Sequence, residues 1–428
     1  MSYLYEKYFQ LDSKLLKRIQ SAEEKIQYGI NKIKEITLDN QAKVLSAFKE
    51  NRVSEFHFAG STGYGYNDSG RQVLEKIYAE VFGGEEALVR THFVSGTHTL
   101  SVCLDALLSP GETLLSAAGS PYDTLQKVIG ITASPQKGTL VEKGVNYRQV
   151  ELTSEGSLDF QEIERVLKKI KSVTVVLLQR SRGYAWRPSV SLAEIEMLSN
   201  LIKKTNPKVI YFVDNCYGEF VNLVEPPEIG ADLIAGSLIK NPGGGLAPMG
   251  GYAVGRKDLI DLIADRLTAP GLGKEVGATL THNRSLFQGF FLAPHVVGEA
   301  LKSAIFAAAL LDEYGFEVSP TFDEVRGDIV QAIRFIEPKH MLSFCQGIQK
   351  HSPVDSYVKP QAANMAGYGD QVIMAVGTFI QGASLEMSAD APYRSPYTAY
   401  LQGGLTFEHG KIAVIGAVKE VLETINRN

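Results

Sequence analysis

The stretch VIYFVDNCYGEFVNLVEPPEIGADLIAGSLIKNPGGGLAPMGGYAVG, residues 209–255, contains three short apolar runs separated by turn-forming residues. VIYFVD, DLIAGS and GGYAVG are each long enough for one strand. They show little of the polar alternation of a strand with one wet face, so they read as strands buried on both sides. The first ends in Asp214, and the second opens into Lys240 and a cluster of glycines. Working outward toward the N-terminus, ALVRTHF (87–93), ETLLSA (112–117), NYRQVEL (146–152) and VTVVLLQ (173–179) have the same strand character. Between them lie amphipathic stretches, HTLSVCLDALL, TLQKVIG, FQEIERVLKKIK and LAEIEMLSNLIKK. This alternation predicts an α/β fold with a mainly parallel, seven-stranded sheet covered by helices on both faces. In such sheets ligands bind beyond the carboxyl ends of the strands, which is where Asp214 and Lys240 fall.

The flanks read differently. The first fifty residues carry apolar side chains at helical spacing and predict a helical arm, residues 1–50, of two helices broken near Asp39-Asn40. A large domain follows over 51–300. The C-terminal part, 301–428, predicts a smaller α+β domain with strands in DIVQAIRF and QVIMAVGTF and a last helix in KIAVIGAVKEVLETINR. A chain of 428 residues is long for one simple core, which agrees with more than one domain. The net charge of -5, with signs mixed, offers no basic face for nucleic acid or anionic lipid. No signal peptide is evident at the start, and the most apolar run, IFAAALL, is too short to cross a bilayer. Cys103, Cys216 and Cys345 are odd in number and widely spaced, which suits a reducing, cytoplasmic setting and no zinc site. The chain lacks GxxxxGK[ST], HExxH and GxSxG, so hydrolysis by a serine or a metal has no support, and no metal site is expected.

The chemistry rests on a combination. Asp214 and Lys240 are separated by room for one strand-crossover-strand step, so both side chains can reach one crevice. Taken singly, the carboxylate could cap a turn and the lysine could be a solvated charge. Together they match the division of labour that pyridoxal phosphate (PLP) requires: an acid to keep the pyridine nitrogen protonated, and a lysine amine to hold the aldehyde carbon. Ser95-Gly96-Thr97 stands between a strand and a helix, where backbone N–H groups can cradle a phosphate, although an ordinary helix cap would look alike. In GSPYDTLQKV, Tyr122 sits at a strand-to-helix turn, placed to stack on a flat ring or to move a proton. His98 and Cys216 read as packing residues.

With these residues in place the chain resembles the fold-type I PLP enzymes, which have the aspartate-aminotransferase architecture. Within them it resembles the cystathionine/methionine gamma-lyase group, closest to the methionine gamma-lyase-like proteins called aluminium-resistance proteins. The segments STGYGYNDSGRQVLEKIYAEVFG, FVSGTHTL, GSPYDTL, FVDNCYGEF and GSLIKNPGGGLAPMGGY carry this likeness. The resemblance implies that Lys240 holds the cofactor and then acts as base, with Asp214 on the ring nitrogen and Tyr122 on its face. It implies that Ser95, Gly96, Thr97 and Ser237 bind the phosphate. It further implies a homo-oligomer, dimer or tetramer, in which Tyr64 or Tyr66 reaches a neighbour's phosphate. Three departures stand out. The arginine usually paired with that tyrosine is displaced, the nearest being Arg71. QRSRGYAWRPS, with Arg180 and Arg182, replaces the usual support of the cofactor oxygen. The best arginine for a substrate carboxylate in the small domain is Arg394. The expected activity is a carbon-sulfur lyase, by γ- or β-elimination, on a small sulfur-containing amino acid. An aminotransferase, or a PLP-binding regulatory protein without turnover, would use the same scaffold.

Overall fold

A computed structural model describes residues 11–133 and 136–427. The chain forms two compact units, one spanning Asp39–Pro294 and the other uniting the residues up to Leu38 with those from His295. The divisions expected at 50 and 300 therefore move to Leu38 and Pro294.

The Asp39–Pro294 unit is built on a seven-stranded sheet. Its strands are β1 (Glu86–Arg90), β2 (Thr113–Ser116), β3 (Asn146–Gln149), β4 (Val173–Gln179), β5 (Ile210–Asp214), β6 (Leu233–Ser237) and β7 (Gly251–Gly255). Their order across the sheet is β1-β7-β6-β5-β4-β2-β3. β7 runs antiparallel to both its neighbours, and all other pairs are parallel. All seven expected strands are present, β3 as a solvent-facing edge. Helices α3 (Ser69–Phe82), α4 (Gly96–Leu107), α5 (Asp123–Ile129), α6 (Phe160–Lys169), α7 (Leu192–Thr205) and α8 (Lys257–Leu267) accompany it. One buried cluster joins Leu100, Cys103 and Leu104 of α4 and Ile260 and Ile263 of α8 to Leu114, Val175, Phe212 and Leu233 of the sheet. Each such aliphatic or aromatic side chain contributes about 1.5–3 kcal/mol on burial. A second, aromatic cluster holds Tyr78, Phe82, Phe220, Tyr252 and Phe290, with Tyr78 stacked on Phe290 at 3.9 Å.

The helix break expected near Asp39-Asn40 lies instead at Ile26, between α1 (Ser13–Lys25) and α2 (Gln27–Glu50). Asn40 does not end the helix because its side chain has a tertiary use. It is buried, and its amide donates to the carbonyls of Phe220 and Asn222 at 3.1 and 3.0 Å.

The other unit contains α1, the second half of α9 (Asn283–Asp312), α10 (Pro338–Lys350) and α11 (Phe407–Asn426). Its antiparallel sheet, ordered β10-β11-β12-β9-β8, comprises β8 (Glu317–Ser319), β9 (Gln331–Arg334), β10 (Val372–Val376), β11 (Ser388–Pro392) and β12 (Thr398–Gln402). β9 and β10 match the two expected strands. β11, with sequence SADAP, escaped sequence reading because small and polar residues imitate a turn, yet all five of its residues are buried. α1 is no free arm: Leu15, Ile19 and Ala22 are buried, and Lys25 pairs with Glu313 at 2.6 Å. α9 is long and apolar enough to cross a membrane, beyond what the run IFAAALL indicated. However, 78% of its most apolar window is buried inside the protein, the mark of a core helix.

Candidate active site

Asp214, Lys240, Ser95–Thr97, Tyr122 and Ser237 lie in the Asp39–Pro294 unit, at and just past the carboxyl ends of its strands. Parallel register sets Gln179 beside Asp214, the last residues of β4 and β5, and Asp214 beside Ala235 in the middle of β6, which runs two residues further to Ser237. Asp214 is 3% exposed. Its Oδ1 accepts a hydrogen bond from the Cys216 N–H at 3.2 Å. Burial raises its carboxyl pKa, opposed by the Lys240 charge and by the bonds from Cys216.

Lys240 follows β6 by three residues, in the turn that leads through Asn241-Pro242-Gly243. Its Nζ lies 4.0 Å from the ring centroid of Tyr217, a cation–π contact. Tyr217 reaches that place with φ of 72°, a left-handed conformation costing a non-glycine residue roughly 1–2 kcal/mol. Burial lowers the Lys240 pKa, but Cys216, Tyr217 and Tyr122 oppose it, and the balance is upward.

The expected phosphate loop caps α4. Ser95 is the N-cap, and its Oγ accepts from the His98 N–H at 3.2 Å. Gly96 abuts the end of β6. A Cβ placed on it would lie 3.1 Å from the Ser237 Cβ and 3.8 Å from the Cys216 Sγ. Only a glycine lets the helix N-terminus come so near Ser237 without a neighbour giving way. Thr97 Oγ1 is 3.1 Å from the Tyr122 hydroxyl and 3.0 Å from the Thr124 hydroxyl. Tyr122 is the N-cap residue of α5, and its N–H donates to Gln179 Oε1 at 2.9 Å. Burial and the Asp214 charge push the Tyr122 phenol well above its ordinary pKa, so it remains a proton donor at neutral pH.

These residues fit pyridoxal phosphate. A buried acid stands ready for a protonated ring nitrogen, whose charge would offset the cost of burying Asp214. An aromatic side chain sits between strand and helix, and a helix N-terminus with two hydroxyls stands ready for a phosphate. Lys240 would supply the attachment point. The glycine contact between α4 and β6 is the cradle that any added side chain would fill.

Other candidates have different roles. Arg71 is buried and turned into its own chain, donating to the carbonyls of Gly65, Gly277, Lys274 and Glu275. It clamps a loop and is not available to a phosphate. Tyr64 and Tyr66 stand on that loop, 74% and 57% exposed, with ring centroids 5.6 Å apart. Arg180 is neither solvated nor aimed at a ligand. It is buried and donates to the side chains of Asn215 and Asn222 at 2.7 and 2.8 Å, near Glu225 at 3.7 Å. Arg182 is buried beside it in sequence, 1% exposed. Arg394 belongs to the other unit, in the β11–β12 connection, where it makes an exposed pair with Asp370 at 2.6 Å. That pair accounts for the residue without a substrate. His98 accepts from the Val94 N–H at Nδ1, and Cys216 is buried with its thiol pKa raised by burial, so both are structural.

Sequence reasoning missed Tyr217, Gln179 and Glu219. The available signal was position: all three lie at, or within five residues of, the end of a buried strand. Nothing in their local pattern distinguished them from ordinary turn residues.

The chain matches the methionine gamma-lyase family over residues 15–422. It is 48% identical over 396 residues to the uncharacterized protein YnbB of Bacillus subtilis (strain 168), covering 92% of this chain and 94% of that one. It is also similar to the crystal structure of a carbon-sulfur lyase involved in aluminum resistance from Clostridium novyi NT. That likeness has 49% identity, 98% of both chains covered and a TM-score of 0.94. The pyridoxal-5'-phosphate dependent protein YhfS from Escherichia coli, 18% identical over 92% of this chain and 97% of that one, shares the fold at a TM-score of 0.62. A match spanning nearly every described element, with the acid, lysine and helix cradle in their places, leaves one conclusion: the chain belongs to the methionine gamma-lyase family.

Proposed function

We propose that this protein is a PLP-dependent carbon-sulfur lyase that eliminates the β- or γ-substituent of a small sulfur-containing amino acid. The observation that carries the reading is the meeting of Asp214 and Lys240, at the ends of adjacent parallel strands, with Tyr122 and the Gly96–Ser237 contact. Pyridoxal phosphate, when bound, supplies an electron sink conjugated to the substrate α-carbon. Lys240 Nζ would anchor the cofactor, and the same amine would accept the substrate α-proton. Asp214 keeps a proton on the ring nitrogen. The Tyr122 hydroxyl, oriented by Thr97 Oγ1 and by the Gln179 grip on its backbone, hands a proton to the departing group. Backbone N–H groups of Gly96 and Thr97, with the Ser95 and Ser237 hydroxyls, hold the phosphate. Arg182, buried in the same unit as Asp214 and Lys240, would hold the substrate carboxylate.

The protein acts as a homo-oligomer, and the exposed Tyr64–Tyr66 pair supports a role at a neighbour's site. Three free, buried cysteines support a cytoplasmic setting. The test is spectroscopic and then chemical. The purified protein should be yellow and bleach with borohydride, leaving a reduced adduct on Lys240. Incubated with cystathionine, methionine or homocysteine and no keto acid, it should release ammonia and a 2-oxo acid over many turnovers. A single stoichiometric half-reaction would make it an aminotransferase, and no spectral response to any amino acid would make it a PLP carrier.

A further inference from the structure

Beneath the Lys240 turn lies a carboxyl group that the steps above do not use. Glu219 is fully buried. Its Oε1 accepts from the Tyr252 hydroxyl of β7 at 2.6 Å, while its Oε2 is buried with no hydrogen-bond partner. Its backbone carbonyl accepts from Asn241 Nδ2 at 2.9 Å, which ties it to the residue after Lys240. Gly236 makes room for the pair: a Cβ there would lie 2.9 Å from both Glu219 Oε1 and the Tyr252 hydroxyl. Glu219 is thus fastened to β7, packed under β6 and joined to the lysine turn. It also closes the short segment that begins at Asp214 and includes Tyr217.

We propose that Glu219 is a positioning residue for the reaction, a neutral buried acid that holds the Tyr217–Lys240 pair in register. An ionised carboxylate would leave a charged, dry Oε2 without a donor, which favours the protonated form. The groups around it agree. Tyr252 from β7, Tyr78 from α3, Cys216 on its own segment and Glu225 beyond it give no positive charge, and Arg180, packed on Gly218, is engaged by Asn215, Asn222 and Glu225. Burial raises the carboxyl to about 8, outweighing the Tyr252 hydroxyl bond, the residue's own backbone N–H and the Lys240 charge, which favour ionisation. Deprotonation adds a negative charge beside Lys240 and stabilises its ammonium, the form that cannot accept the α-proton.

The inference rests on Lys240 being the cofactor lysine. The experiment compares wild-type holoenzyme with Glu219→Gln and Glu219→Ala. Infrared difference spectra of wild type against Glu219→Gln should show a protonated-carboxyl band that loses intensity between about pH 6 and pH 10. In the same range the visible band and kcat of wild type should titrate with an inflection near 8 that Glu219→Gln lacks. The Gln variant should keep kcat within about threefold, while Glu219→Ala lowers kcat at least about tenfold with KM little changed. A yellow wild type with no such infrared band, or an inflection that survives in Glu219→Gln, overturns the proposal. A colourless wild type removes the cofactor reading instead, and the infrared band then still decides the protonation of Glu219.

Discussion

At the residue scale, charge placement decides function. Asp214 and Lys240 sit at strand ends where burial makes each ionic state costly without a partner. Replacing Asp214 with Ala should weaken cofactor binding and lower turnover at least a hundredfold, since an unpaired pyridinium there costs ~3–5 kcal/mol. Absorbance titration with PLP and steady-state kinetics check this, and near-normal activity would refute the assignment. Glu219 makes a pH prediction of its own. Its folded-state pKa is raised from 4.5 to about 8, so its stabilising contribution is complete below the unfolded value. That contribution is lost progressively as pH rises through the folded value, to a total of roughly 5 kcal/mol. Glu219→Gln, which cannot ionise, should therefore gain stability relative to wild type between about pH 5 and pH 8, and no further above it. Denaturant unfolding at several pH values measures the difference, and a constant offset across that range would refute it.

Elements translate local sequence into site geometry. α4 begins where Ser95 caps it and where Gly96 allows contact with the end of β6. A methyl group at residue 96 meets Ser237 at a distance tighter than ordinary packing. Gly96→Ala should thus weaken PLP affinity at least about fivefold while leaving helix content unchanged, because Ala is the better helix former. Fluorescence titration and circular dichroism separate the two effects, and unaltered affinity would show that the cradle is not the phosphate site. Ser95→Ala, by contrast, removes the cap on the His98 N–H and should cost about 1 kcal/mol of stability. Arg71 works at the same scale, tying the segment that bears Tyr64 and Tyr66 to residues 274–277 through four backbone carbonyls.

On the scale of the whole molecule, the tyrosine pair is the feature without a use inside one chain. Two large aromatic side chains held in the open by a buried arginine clamp are what a shared interface would recruit. A Lys240→Ala protein and a Tyr64→Phe/Tyr66→Phe protein, each inactive or impaired alone, should regain part of the wild-type activity when co-assembled. With two kinds of subunit in a dimer, one intact site can form, so recovery should approach about a quarter of wild type. Verified mixed oligomers without recovery would place the tyrosines outside any shared site.

The architecture of the catalytic unit was legible because each of its strands is a local signal. Seven apolar runs bounded by turns became β1–β7, and the residues that follow them form the candidate site. Asp214, Lys240, Tyr122 and Gly96 were readable since position after a strand is itself sequence information. The strands of the smaller sheet were less so: β11 is made of Ser, Ala, Asp and Pro, whose turn-like composition is overruled by burial between neighbours. Asn40 looked like a helix break until its two tertiary carbonyls were known. The fate of each charge was beyond the sequence altogether. Arg71, Arg180, Arg394 and Glu219 have unremarkable local contexts, and only long-range packing makes one a loop clamp, one a buried brace, one a surface partner and one a neutral acid. The linear order of residues determined which elements form and which end of the sheet is reactive, because hydrophobic periodicity and turn chemistry act over a few residues. Tertiary structure decided which polar groups lose water and what replaces it, because desolvation and pairing depend on neighbours that the chain brings together from far apart.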